Sequence, residues 1–334
     1  MEIMRTLEPY CYLTKDAFTK DTEEYFKKSW VILTHESMLP NPGDTFAIKL
    51  FGVPIFVRRS SSGVIDGYIN SCPHRGGPLF WEGLENRKII SCKYHAWSFG
   101  DSGNLKGISD FGCDISCFDN EETSLGRIAT DVIDGFVFVN LSLDADAKYE
   151  PASDEDIFPQ EAPKDTRYYG ELSFEIKANW KLYLEGWLDI YHLRYLHPSL
   201  VRRVKECRIT PKALYAIIDG TVDVPEGIRK RAWIWMHPCT GVAYYENGFA
   251  IELLLPISKD ETQVKFLFFL QKGATPEDVE NRIGILKELF PEDKLAAEHV
   301  QSTLEAGVFT TGFLSPKHEG CLDDFHRRLP DYRA

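Results

Sequence analysis

Helical spacing of apolar side chains over residues 16–29 predicts an amphipathic helix that ends near Ser29 and Trp30. From Pro40-Asn41-Pro42-Gly43-Asp44 onward the pattern changes to short apolar stretches broken by Gly and Ser, which predict strands over 46–50, 53–57, 65–70 and 88–91. Asp101-Ser102-Gly103-Asn104 reads as a turn, and Gly135 to Leu141 as the strand that closes a small β domain. Between Leu141 and Arg167 acidic residues and prolines replace any periodicity, as in a linker lying on the surface. Beyond it, strands are expected over 168–176, 210–218, 232–237, 241–255 and 264–271, framed by helices over about 179–196 and 292–308. Neither an internal repeat nor a low-complexity segment is present.

At 334 residues the chain exceeds one average domain, so the pattern is that of two. Hydrophobic residues make up 43% and aromatic ones 13%, enough for a real core and for an apolar cavity. A net charge of −13 disfavours a phosphate-backbone partner, so no nucleic acid is expected; an acidic face could still meet a basic electron donor. The start of the chain lacks the basic-then-apolar pattern of a signal peptide, and no stretch reaches the ~18 apolar residues of a membrane span. No membrane association and a cytoplasmic location are therefore expected. Six of the eight cysteines (Cys11, Cys113, Cys117, Cys207, Cys239, Cys321) show no framework spacing and read as reduced thiols, although Cys113 and Cys117 form a Cys-x3-Cys pair.

The candidate chemistry begins with Cys72-Pro73-His74 and Cys92-Lys93-Tyr94-His95. Each short segment offers one sulfur and one nitrogen, which is what a Rieske [2Fe–2S] cluster needs, two thiolates on one iron and two imidazoles on the other. Four such donors also suit zinc, but zinc fingers usually pair cysteine with cysteine and histidine with histidine. With Arg75-Gly76-Gly77 and Ala96-Trp97-Ser98-Phe99 beside the donors, the chain resembles the Rieske family, and its oxygenase branch in particular. Respiratory Rieske proteins tie their two loops with a disulfide. Here the corresponding positions are Gly77 and Tyr94, which resembles the lower-potential members within a range of about −150 to +300 mV.

The resemblance implies an α+β protein: a Rieske [2Fe–2S] β domain over 41–145, an acidic linker over 146–167 and a helix-grip (START-like) catalytic domain over 168–334, with the helical segment 1–40 packing on the latter. It extends to Glu185, Asp189, His192 and His197, which match the family's spacing for a mononuclear iron site. Two histidines and one carboxylate form the facial triad of non-haem Fe(II). His192 and His197 are five apart, or ~140° around a regular helix, so both can face one ion only if the helix bulges or ends between Leu193 and His197; Pro198 agrees with such a break. By resemblance the third ligand is Asp293 at the start of the last helix, with Glu292 and Glu298 as substitutes. Asp189 is expected behind a ligand histidine. In the family it also joins the cluster histidine of one subunit to an iron ligand of the next, so His95 or His74 would reach Asp189 across a head-to-tail ring, a homotrimer.

These parts imply a terminal oxygenase component that uses O2 to hydroxylate or oxidatively demethylate a small organic, apolar or aromatic substrate. A ring cis-dihydroxylating dioxygenase and, in another class, a Rieske electron carrier with an iron-free ligand-binding domain are the alternatives. No Gly-x-Gly-x-x-Gly motif and no plant-type ferredoxin cysteine run is present, so NADH or NADPH is expected to act through a separate flavin reductase or ferredoxin. Trp233, Trp235, Tyr244, Phe249 and Ile251 face either the cavity or the opposite side of their strands; lining the cavity, they would also suit a quaternary ammonium group.

Overall fold

The computed structural model describes residues 4–150, 165–201, 204–212, 215–224, 227–245 and 247–332. The contacts divide the chain into two compact units, Lys27–Glu150 and the combination of Met1–Phe26 with Pro151–Ala334.

In the smaller unit the strands are β1 (Val31–His35), β2 (Asp44–Leu50), β3 (Val53–Arg59), β4 (Ile65–Ile69), β5 (Gly83–Asn86), β6 (Ile90–Ser91), β7 (Ser98–Phe99), β8 (Leu105–Gly107), β9 (Arg127–Ile133) and β10 (Phe136–Asn140). An antiparallel sheet runs β1-β10-β9-β4-β3-β2-β5, and β6-β7-β8 form a separate small one. Residues 27–40, expected within the N-terminal helical segment, instead supply β1, whose five residues are all buried and pair with β10. Val31, Ile32 and Leu33 are consecutive apolar residues, and with Thr34 and His35 buried beside them both faces of the segment are covered, as suits a strand within a sheet.

The larger unit carries β11 (Thr166–Ile176), β12 (Val204–Pro211), β13 (Tyr215–Val224), β14 (Gly227–Met236), β15 (Thr240–Tyr245), β16 (Gly248–Ser258) and β17 (Glu261–Gln271). They form one antiparallel sheet in the order β11-β17-β16-β15-β14-β13-β12. The single strand expected over 241–255 is a hairpin, β15 and β16, for which Asn247-Gly248 was the available turn signal. The stretch 210–218 likewise divides between β12 and β13. Most of the linker expected over 146–167 lies outside the described residues, and its last two positions already belong to β11.

A single long helix, Pro276–Glu305, replaces the one expected over 292–308. Its start is built from Thr275 and Asp278: the Asp278 carboxylate accepts from the Thr275 N–H at 2.8 Å and from its hydroxyl at 2.9 Å. Pro291 reads as a helix start in the sequence, yet it lies inside this helix, because the buried positions Val279, Leu286, Phe290, Ala297, Gln301 and Leu304 continue one stripe past it. Phe290 stacks on Phe174 of β11 (centroids 3.9 Å apart, 14°), fixing the helix to the sheet.

The N-terminal helices Tyr10–Leu13 and Lys15–Lys20, with the π-helical turn Asp21–Phe26, pack within this unit. Lys181 and Asp21 form an ion pair with both side chains fully buried. Asp21 also accepts from the Trp180 indole at 2.9 Å and from the Tyr332 hydroxyl. A buried charge pair is tolerable only when its remaining lone pairs are satisfied, as they are here.

Candidate metal centres and cavity

In the smaller unit, two loops of the same construction present the Cys/His pairs. The Cys72 N–H donates to the Gly77 carbonyl and the Gly76 N–H to the Cys72 carbonyl, both at 2.8 Å. In the second loop the Cys92 N–H donates to the Trp97 carbonyl at 2.8 Å and the Ala96 N–H to the Cys92 carbonyl at 3.0 Å. The fifth residue of each loop is left-handed, φ 70° at Gly76 and 58° at Ala96. A Cβ at Gly77 would stand 2.9 Å from Tyr94 Cβ and 3.1 Å from Cys92 Sγ, so only glycine lets the loops approach this closely.

Cys72 and Cys92 belong to the buried core with Phe56, Phe80, Trp97 and Phe99. Burial pushes the Cys72 thiol up to about 11, so a thiolate there needs a positive charge alongside. The imidazoles of His74 and His95 are half-buried, with centroids 4.8 Å apart, and His74 stacks on Trp97 at 4.8 Å and 5°. His74 Nδ1 is buried with no hydrogen-bond partner. Two buried sulfurs, two facing imidazoles and an orphaned ring nitrogen fit a [2Fe–2S] cluster. Asn70, which the sequence reasoning missed, pins the base of the first loop: its Oδ1 accepts from Leu79 N–H (2.9 Å) and Phe80 N–H (3.1 Å), and its Nδ2 donates to the Phe80 carbonyl (2.8 Å).

In the larger unit the helix expected over about 179–196 is Trp180–Leu188, begun by Asn179, whose side chain accepts from the Lys181 N–H. It stops at Asp189, earlier than the expected break, because the Asp189 carboxylate accepts from the Tyr191 and His192 N–H groups and turns the chain out of the helix. A short turn, Leu193–Leu196, follows, and Pro198 opens the next one. With the helix broken, His192 and His197 face each other, centroids 5.1 Å apart. His197 Nε2 lies 2.9 Å and His192 Nε2 3.7 Å from Asp293 Oδ1, and donor atoms of these three residues all fall within 4.8 Å of one another. Two imidazoles and one carboxylate fit a ferrous facial triad.

Asp189 Oδ2 is 3.4 Å from His192 Nδ1, on the other side of the ring from Asp293. Glu292, considered as a substitute ligand, instead sits 2.6 Å from His197 Nδ1. Glu298 is engaged elsewhere, accepting from the Lys177 N–H at 2.8 Å. Burial lowers the pKa of His197, but the Asp293 and Glu292 carboxylates more than reverse this and leave it raised. Glu185 accepts from the Tyr12 hydroxyl at 2.6 Å and lies 3.0 Å from His326 Nε2.

Asp189, His192, His197 and Asp293 line a cavity of about 190 Å³. Of the five sequence candidates for its wall, Trp233 lines it; Trp235, Tyr244, Phe249 and Ile251 do not. Strand register explains most of the division: Trp233, Ala243 and Ala250 form one cross-strand row on the cavity face, whereas Tyr244, Phe249 and Ile251 point to the other; Trp235 shares the face of Trp233 but is fully buried, its ring 5.0 Å from that of Trp187. Trp187, Phe266, Phe290 and the buried Glu252 also line it, none of them anticipated. The Tyr183 hydroxyl donates to Glu252 Oε1 at 2.7 Å and the Trp187 indole to Oε2 at 3.2 Å. Burial pushes the Glu252 carboxyl up to about 7, against the lowering effect of these two bonds.

Residues 29–119 match the family described as Rieske [2Fe-2S] domain, and residues 163–223 match Ring hydroxylating alpha subunit (catalytic domain). The chain is 26% identical to the carnitine monooxygenase oxygenase subunit of Acinetobacter pittii, covering 91% of this chain and 86% of that one. Against the anthranilate 1,2-dioxygenase large subunit of Acinetobacter baylyi it is 29% identical, over 58% of this chain and 44% of the relative. Among solved structures, that of the quaternary ammonium Rieske monooxygenase CntA with its substrate L-carnitine aligns with a TM-score of 0.84 at 24% identity, covering 98% and 96% of the two chains. A naphthalene 1,2-dioxygenase variant bound to phenanthrene aligns at 0.75 and 20%, covering 96% and 90%.

Proposed function

Given that this chain belongs to the family of Rieske non-haem iron oxygenase alpha subunits, oxidoreductases that incorporate O2, we propose that it is the terminal component of a monooxygenase that hydroxylates or oxidatively demethylates a small organic substrate. The observation that carries this reading is a single cavity walled by aromatic side chains and by the converging donors His192, His197 and Asp293. When bound, the [2Fe–2S] cluster supplies single electrons and the ferrous ion activates O2. Cys72, His74, Cys92 and His95 hold the first, and His192, His197 and Asp293 the second. Monooxygenation is favoured over ring dihydroxylation because the carnitine monooxygenase subunits align over nearly the whole chain, whereas the anthranilate dioxygenase subunit aligns over little more than half.

The division of labour follows from burial and hydrogen bonding. The half-buried His74 and His95 form the exposed side of the cluster site and the route by which electrons enter and leave. Asp189, behind His192, is assigned as the bridge that receives the electron from the cluster of a neighbouring protomer in a head-to-tail homotrimer. Electrons come from NADH or NADPH through a separate reductase.

Counting iron tests the reading against an electron carrier with a ligand-binding domain: about three irons per chain support the oxygenase and two the carrier. O2 uptake with a surrogate reductase, screened over candidate substrates, then identifies what is oxidised. His192→Ala is expected to leave the visible cluster spectrum intact while abolishing product. Asp189→Ala is expected to keep its iron and stop electron transfer. Turnover by either variant at the parent rate contradicts the assignment.

A further inference from the structure

Glu252 sits on β16 with 8% of its surface exposed and lines the same cavity as His192, His197 and Asp293. Its two hydrogen-bond donors, Tyr183 and Trp187, come from the helix that leads to Asp189, so the carboxylate is held at a fixed place relative to the three converging donors. Both donors are neutral. Each carboxylate oxygen can accept more than the one bond described, which leaves acceptor capacity in a cavity that Trp187, Trp233, Phe266 and Phe290 also line.

Tying this helix to the sheet does not require a charge. A glutamine keeps both contacts with one of them reversed, its Oε1 accepting from the Trp187 indole and its Nε2 donating to the Tyr183 oxygen, without the cost of taking a carboxylate out of water. Arg282 lines the cavity too, but of the groups acting on Glu252 it is the weakest, behind burial, the two hydrogen bonds and Asp293. A carboxylate kept in an aromatic cavity by neutral donors is complementary to a weakly hydrated cation, which aromatic rings also attract within about 6 Å of their centroids.

We propose that Glu252 is the specificity-determining residue of this cavity and selects a substrate with a positively charged nitrogen, an ammonium group seated against the Glu252 carboxylate among Trp187, Trp233 and Phe266. The substrate is small, because the cavity of about 190 Å³ lies below the usual ligand-pocket range of roughly 300–1,000 Å³. The C–H bond to be oxidised is then one near the charged nitrogen, turned towards His192, His197 and Asp293. The identity of the reaction rests on the oxygenase reading above, whereas the charge selection does not, since it is read from binding alone.

The test is calorimetric titration of the holoenzyme with choline and with its neutral isostere 3,3-dimethylbutan-1-ol, in which carbon replaces the charged nitrogen. The wild-type protein is expected to bind choline at least tenfold more tightly. Glu252→Gln is expected to weaken choline binding tenfold or more and to change binding of the neutral alcohol less than threefold. Equal wild-type affinity for the two probes, or unchanged choline binding by Glu252→Gln, overturns the proposal. The wild-type ratio alone decides should the variant not fold. Iron content and O2 uptake are measured on the same preparation, so loss of the oxygenase reading shows as missing iron or missing uptake and not as a missing charge preference.

Discussion

His197 is held from both sides of its ring: Nδ1 meets Glu292 at 2.6 Å while Nε2 faces Asp293 at 2.9 Å. A ligand histidine fixed this way has one nitrogen committed to a carboxylate and the other aimed at the metal, and such outer partners are typically worth 10–100-fold in metal affinity. Glu292→Ala is therefore expected to lose the mononuclear iron to a competing chelator 10–100-fold more readily, with the cluster absorbance unchanged. Wild-type retention of that iron would remove Glu292 from this role. Motif spacing picked out His192 and His197, and the family resemblance added Asp293; these are the residues whose donor atoms the fold brings together. Residue pattern by itself could not rank Glu292 against Asp293. Adjacent positions on a helix point about 100° apart, and choosing between them needs the phase of a helix whose true start lies at Pro276.

At the level of elements, the two Cys/His loops are the unit that matters, because each closes with the same pair of backbone hydrogen bonds and neither can hold the cluster alone. Their contact runs through Gly77, where a methyl group would have to displace Tyr94 or Cys92. Gly77→Ala is expected to lower cluster occupancy severalfold, read as the ratio of visible to protein absorbance in freshly purified material, while leaving the larger unit's far-ultraviolet signal in place. Full occupancy would show that the loops have slack. The conflict between a regular helix and the five-residue step from His192 to His197 foretold a break. Its position at Asp189 was not legible, since it depends on a carboxylate turning back onto two N–H groups. Strand order and the division of 241–255 into a hairpin escaped for a related reason: both faces of β16 are largely buried, and that hides the alternation by which a turn is recognised.

At the scale of the whole molecule, each unit holds a histidine in surroundings that disfavour its charged form. Burial lowers His35 in the smaller unit to about 4 and His237 in the larger to about 3. Both folded pKa values lie below the unfolded value of 6.5, so the unfolded chain binds more protons as pH falls. The stability they allow is complete above about pH 6.5 and is lost on acidification, amounting to about 2 kcal/mol per histidine between pH 6.5 and 5. Thermal unfolding at pH 5 is accordingly expected several degrees below that at pH 7. Coincident melting curves would show that these imidazoles escape to solvent before the units open. No helix among the described residues is long and apolar enough to cross a membrane.

The buried pairing of Asp21 with Lys181 spans 160 residues of chain. Ribosomes add roughly 5–20 residues per second, so the carboxylate leaves the ribosome roughly 10–30 s before its lysine does. Throughout that interval the nascent N-terminal segment carries a charge it cannot yet bury, and the whole smaller unit is translated in between. The interrupted order of synthesis leaves the early segment without its partner helix until residue 181 has emerged. It also means that slowing translation after residue 150 prolongs the exposure of a surface that the finished enzyme never shows.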